Sequence, residues 1–481
     1  MSFQSVDQIF ATAAAVGRVD GDRFVPSSGA VPGELVDRLA HAGALGATPE
    51  IRGTARWIIR SLAAARGIRP ASIHDLYIAM GRGDAGGFTV PAMNIRVMSY
   101  YTARAAFRAA RQLGAGAIIF EIARSEIGYT EQRPHEYAAM ITAAALREGF
   151  GGPLFIQGDH VQVNAKKYNS SDRQKEIETL EQLIREEIAA GFYNIDVDTS
   201  TLVDLDKSTL EEQQAINCEL AAAFTEFCRR HEPEGVTISV GGEIGEVGGK
   251  NSDVLELHAF MRGYQAQLRK RGEPVGISKI SVQTGTAHGG FVGADGKVRT
   301  DVQIDLRALE ELSTVARKDY GLGGAVQHGA STLPPSAFDA FPKARACEIH
   351  LATDFQNMVY DHPQFPADLK SEMYAWLHEH AAEERKPKDT EQQFLYKARK
   401  KAIGPFKQQL WGMSDDVKTA LGQALEERFA FLMSKLNVGG TADAVKRFVT
   451  PPDVVYSREA EVKAAAGVIT ATERKAEGLS D

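Results

Sequence analysis

Short apolar runs and longer amphipathic stretches alternate along most of this chain. FTVPAMNI (88–95), AGAIIFEIA (115–123), PLFIQGDH (153–160) and NIDVD (194–198) are followed by VTISVGGEIG (236–245), KISVQTG (279–285), GAVQHGAS (324–331) and ACEIHLATD (346–354). Each has the length and composition of a strand covered on both faces. Between them, apolar residues recur every three to four positions, which predicts helices over 99–114, 133–148, 170–191, 211–231, 253–271 and 305–320. Alternation of this kind predicts right-handed βαβ units and a parallel sheet. Eight such units close into a (β/α)8 TIM barrel, whose chemistry lies at the C-terminal ends of its strands.

The flanks differ. GELVDRLAHAGALG and TPEIRGTARWIIRSLAAARG have helical spacing, the second with Thr48 as N-cap, Pro49 in its first turn and Gly67 at its stop. We expect a helical N-terminal extension over 1–70, the barrel over 71–361 and a charged helical C-terminal extension over 362–481. The last stretch, VKAAAGVITATERKAEGLSD, is polar and is expected to be loosely ordered. Arg82–Asp84, an RGD, reads as a turn ahead of the first strand.

Composition narrows the class. A chain of 481 residues, 43% of them apolar, suits one large barrel with extensions. The formal charge of -8 disfavours a nucleic-acid partner. Three cysteines (Cys218, Cys228, Cys347) without a CxxC pair argue against a disulfide framework or a four-thiolate zinc site, and fit a reducing cytoplasm. No apolar run is long enough to span a bilayer and the start MSFQSVDQIF lacks the pattern of a secretory leader, so a cytoplasmic protein without a membrane partner is expected.

The strand ends carry the chemistry. His160, His288 and His328 close three predicted strands, each beside glycine or aspartate. Three neutral imidazoles with one open position are the donor set of a catalytic zinc ion, which acts as a Lewis acid on a carbonyl. Asn94, Asp159, Asp196, Asp198, Glu243, Glu246, Thr353 and Asp354 end strands at the same mouth, and carboxylates there can move protons. Neighbours on an extended strand face opposite ways, so Asp159 and His160 reach one site only where the strand has ended. The turns HGG (288–290), HGAS (328–331) and EVGGKNS (246–252) offer backbone N–H groups and hydroxyls to a phosphate. KARKK (397–401) is the one basic knot, a solvated face or a contact for an anion.

Together GDH, GGEIGEVGG, GTAHGG, QHGAS and HLATD resemble the class II, metal-dependent fructose-bisphosphate and tagatose-bisphosphate aldolases, from about Ile73 to Val438. The resemblance implies reversible aldol cleavage of a ketose phosphate or bisphosphate to a dihydroxyacetone-phosphate-like donor and an aldehyde, through a zinc-stabilised enediolate. It implies Zn2+ or another divalent metal on His160, His288 and His328, with a monovalent cation as a further expectation. Asp159 would move the proton of the C4 oxygen, and Glu243 and Asp196 would hold a second or alternative metal position. Asn94 would contact the substrate near the reacting carbons. Gly289, Gly329, Ser331 and Thr353, with Asp354 beside them, would cradle the ketone-side phosphate. Arg399 would grip the far phosphate across a homodimer or larger homo-oligomer.

Departures from the family pattern are informative. The loop glutamate that abstracts the C1 proton is replaced after the Gly-Gly pair by Lys250 and Asn251, leaving Glu246 as the nearest substitute. The lysine after the sixth-strand His-Gly is displaced to Lys297, a serine after the second strand becomes Ala123, and the eighth-strand asparagine becomes His350. The metal residues are thus kept while the phosphate pocket changes. Two other readings remain: a non-catalytic or chaperone-like subunit of a tagatose-bisphosphate aldolase, suggested by IFEIARSEIGYT and GDHVQVN, and a barrel metallohydrolase of phosphoesters.

Overall fold

Eight strands form the barrel: β1 (Val90–Asn94), β2 (Ile119–Ala123), β3 (Pro153–Gln162), β4 (Asn194–Asp198), β5 (Ser239–Glu243), β6 (Lys279–Val282), β7 (Ala325–Gln327) and β8 (Glu348–Leu351). They are those of a computed structural model, which describes residues 3–245, 251–285, 291–293, 295, 298–299, 304–331 and 333–474. Every neighbouring pair is parallel, and β8 pairs with β1 to close the ring. A two-residue strand, Arg69–Pro70, adds to the start of β3. The expected helices appear as Ser99–Leu113, Pro134–Glu148, Arg173–Ala190, Ala215–His231, Val254–Lys270 and Leu306–Tyr320. The strands are apolar because these helices cover their outer faces, and glycine at positions such as 114, 191 and 321 stops a helix in the left-handed region.

One irregularity sets up the site. Between Gly158 and Val161, β3 carries an extra residue relative to β4, where Ile195 and Val197 are the partners. This is a β-bulge, and His160 within it has φ 41°. The strand therefore does not end at His160, as the run 153–160 predicts, but goes on to Gln162. The bulge lets Asp159 and His160 serve one site. Gly158 is required just before it, because a Cβ there would lie 2.6 Å from the Glu187 carboxylate.

The extensions need two corrections. The N-terminal 70 residues are not wholly helical, since Gly17–Asp20 and Arg23–Pro26 form an antiparallel hairpin around Gly21, which has φ 57°. The C-terminal stretch is not loose where described. Helix Arg458–Ala465 packs on helix Pro49–Ala64 at Gly53, where a Cβ would meet the Val462 backbone at 2.4 Å. The buried Arg60 Nε lies 2.9 Å from Glu461 Oε1, and His135 Nδ1 is 3.3 Å from the other oxygen. Cys218, Cys228 and Cys347 are free and buried. Among the described residues, no helix is long and apolar enough to cross a membrane.

Candidate metal centre

At the C-terminal mouth, His160 Nε2 and His328 Nδ1 face each other at 2.8 Å. Each ring is held from behind. His160 Nδ1 lies 3.2 Å from Asp198 Oδ2 and 3.7 Å from Glu243 Oε2. His328 Nε2 lies 3.0 Å from Ser281 Oγ, and its ring stacks on His350 with centroids 4.0 Å apart. A carboxylate behind an imidazole fixes the tautomer and leaves the other nitrogen to bind a cation. Burial opposes charge on His160, but Asp159, Asp198 and Glu243 outweigh it and raise its affinity for a proton or a metal ion. Burial would also raise the Asp198 carboxyl, yet hydrogen bonds from His160, Ser200 and Gln162 hold it below the usual range.

This donor set fits a divalent metal. Tetrahedral zinc places two ligating nitrogens roughly 3.3 Å apart, so the facing pair would have to part by about half an ångström. Asp159 Oδ1 is 3.9 Å from His160 Nε2, beside the same point. Asp198 then acts through His160. We expect Asp198→Ala to weaken metal affinity by about 10- to 100-fold in a chelator competition titration, and unchanged affinity would remove that role.

Beneath the histidines lies a charged layer instead of the usual apolar filling of such a barrel. Lys279 Nζ, fully buried, is 2.8 Å from Gln157 Oε1, 2.8 Å from Asp196 Oδ1 and 2.5 Å from Glu348 Oε1. Tyr77, from helix His74–Arg82 under the barrel, donates to the other Glu348 oxygen. His350 bridges this layer to the mouth: Nε2 is 2.7 Å from Glu348, and Nδ1 is 3.2 Å from both Glu121 and Asp159. Burial and the neighbouring Asp159 push the Glu121 carboxyl up to about 8. Asp196, Glu348 and His350 could in principle hold a metal, but the Lys279 ammonium already serves as their cation.

The expected residues divide accordingly. His160, His328, Asp159 and Glu243 converge. Asp196 does not join them, because it faces Lys279; the β4 residue that meets His160 is Asp198. Asn94 is buried at the mouth and donates to Glu126, which also pairs with Arg96 at 2.6 Å. Thr353 accepts from Arg96 at 3.1 Å. Gly329, with φ 65°, and buried Ser331 follow His328 in the turn after β7. Asp354 is held by Arg428 at 2.7 Å. Arg399 is buried with its guanidinium committed within the chain, to Asp361 and Asn357. Glu246, His288 and Gly289 lie outside the described residues, as do Lys250 and Lys297. Glu121, Lys279 and Glu348 are not at the C-terminal ends of strands, but the charge each places inside an apolar run, IIFEIA, SKISV and CEIHL, was a visible signal; Glu126 follows β2 in the tract IFEIARSEIGYT.

Residues 78–410 match the profile of the family described as fructose-bisphosphate aldolase class-II. Similar solved structures include a fructose-bisphosphate aldolase from Campylobacter jejuni, at 15% identity over 77% of this chain and 97% of that one, with TM-score 0.46. A probable tagatose 6 phosphate kinase from Sinorhizobium meliloti is similar at 16% identity over 78% and 97%, TM-score 0.49. A fructuronate-tagaturonate epimerase from Cohnella laeviribosi is similar at 14% identity over 83% and 86%, TM-score 0.47.

Proposed function

This chain belongs to the class II fructose-bisphosphate aldolase family, and we propose that it cleaves a ketose phosphate reversibly between C3 and C4 with the help of a divalent metal. The observation that carries this reading is the 2.8 Å approach of His160 Nε2 to His328 Nδ1 with Asp159 beside them. A divalent ion held by His160 and His328 would supply Lewis acidity to a carbonyl oxygen. Asp159 takes the proton of the C4 hydroxyl as the carbon–carbon bond breaks and returns it in the condensation direction. His350, 3.2 Å from Asp159, keeps that carboxylate turned toward the mouth. The turn at Gly329 to Ser331 and the Thr353 hydroxyl receive the phosphate.

The mouth is also electrostatically suited to an anion. Lys400 sits over the Tyr129 ring at 5.7 Å, beside Arg96 and Lys401, and makes no ion pair among the described residues. Burial first, then those two cations, lower its ammonium to about 8, so an incoming phosphate or carboxylate would relieve the repulsion.

The test is a panel of ketose mono- and bisphosphates incubated with the purified protein, with and without a chelator. We expect triose phosphate to be released, lost on chelation and restored by zinc or another divalent ion. Inorganic phosphate released without carbon–carbon cleavage would identify a phosphoester hydrolase instead. Turnover only after adding a partner chain would favour an accessory subunit.

A further inference from the structure

Five arginines are buried among the described residues: Arg56, Arg60, Arg96, Arg317 and Arg399. Four of them pair with a carboxylate: Arg56 with Glu136, Arg60 with Glu461, Arg96 with Glu126 and Arg399 with Asp361. Arg317, 8% exposed, does not. Its Nη2 donates to the Arg345 carbonyl at 2.8 Å, and its Nε has no acceptor. Burial lowers its pKa, and no carboxylate restores it. A guanidinium held inside a protein without a counter-charge is costly unless an anion completes it.

The surroundings of Arg317 show where that anion would sit. A cavity of about 780 Å3 opens at the N-terminal ends of β1, β7 and β8, at the far end of the barrel from His160 and His328. Arg317, Arg345 and Arg447 line it together with the turn Gly83–Phe88. Arg317 Nη1 reaches this turn, 3.9 Å from where a Cβ on Gly86 would be. The backbone N–H groups of Gly86 and Gly87 make no hydrogen bond among the described residues. Arg345 has φ 60°, a left-handed conformation rarely taken by a long side chain, and its carbonyl is fixed by Arg317 and by Ser313. Arg447 lies over the ring of Phe448, 4.8 Å from its centroid. Asp84 and Asp443 also line the cavity but form no ion pair with any of the three arginines.

We infer that this cavity binds a phosphorylated small molecule, its phosphoryl group held by Arg317, Arg345 and Arg447 and by the N–H groups of Gly86 and Gly87. Planar guanidinium forks match phosphate oxygens two at a time, and successive glycine N–H groups form an anion-binding concavity. The volume is that of a metabolite site, with Phe88 and Phe448 as its apolar wall. Its position makes the occupant an effector and not the substrate, and the inference stands whatever reaction the other end performs.

Calorimetric titration of the metal-loaded protein with inorganic phosphate and with AMP tests this. Besides any binding at the catalytic mouth, one saturable site is expected that either Arg317→Gln or Arg447→Ser weakens at least about tenfold, while kcat/KM for the cleaved ketose phosphate is unchanged at zero effector. Arg447 is exposed, so its replacement keeps the test valid even if Arg317→Gln folds poorly. Binding of phosphate alone supports the site with no part for an organic moiety, and tighter binding of AMP adds one. No saturable binding up to millimolar ligand overturns the inference, as does an isotherm that is the same in the parent and in both variants, which would place all the binding at the catalytic mouth.

Discussion

His328→Ala is expected to lose its metal and to turn over ketose phosphates at least about 10^3-fold more slowly than the parent. The side chain provides one of the two nitrogens that meet at 2.8 Å, and its ring fills the space against His350. Removing it leaves His160 without its facing donor. Lewis-acid polarisation of a carbonyl is worth several kcal/mol of barrier, and each 1.4 kcal/mol is about tenfold in rate. Metal content by elemental analysis and steady-state kinetics, alongside circular dichroism to confirm folding, measure the outcome. A folded variant that keeps stoichiometric metal and turns over within tenfold of the parent would end the aldolase proposal.

Lys279→Met is expected to destabilise the fold by about 3–5 kcal/mol, because it strands Asp196 and Glu348 inside the barrel without their cation. The size of the loss should depend on pH. In the parent, burial alone would raise the Glu348 carboxyl, but Lys279 and His350 overcome it and hold the group well below its usual range. That arrangement stabilises the fold above the unfolded carboxyl pKa, near 4.5, and the gain fades on acidification. Without Lys279 the carboxyl is raised, so ionising it costs stability at high pH and protonating it gives some back. The gap between variant and parent should therefore be wider at pH 8 than at pH 5 in denaturant unfolding. A gap under about 1 kcal/mol at pH 7 would show that the layer is not held together by this ammonium.

Much of the barrel was legible in the sequence because covered strands must be apolar on both faces, and all eight runs became strands. The histidines at positions 160 and 328 were legible for the same reason, standing at the ends of runs where polarity returns. The choice between Asp196 and Asp198 was not. Both lie on one face by the period of two, and only the bulge in the neighbouring strand decides which of them meets His160. Lys279, Glu121 and Glu348 were passed over because each sits singly in an apolar run, and its partner is hundreds of residues away or on another strand until the ring closes. Arg399 was placed by the resemblance of its tract, whereas Asp361, 38 residues earlier, takes its guanidinium. The hairpin around Gly21 escaped notice because its strands are four residues long and largely exposed.

The extra residue in β3 also bears on how such a protein could diverge. Deleting either codon between Gly158 and Val161, that of Asp159 or that of His160, would restore an even ladder to β4 with Val161 still opposite Val197. The cylinder would keep its strand pairing after that event, and the site would be left with the acid or the histidine but not both. Loss of activity in a lineage is thus a single in-frame step that the strand pairing accommodates, and descendants of that step would look like intact barrels kept for some other use.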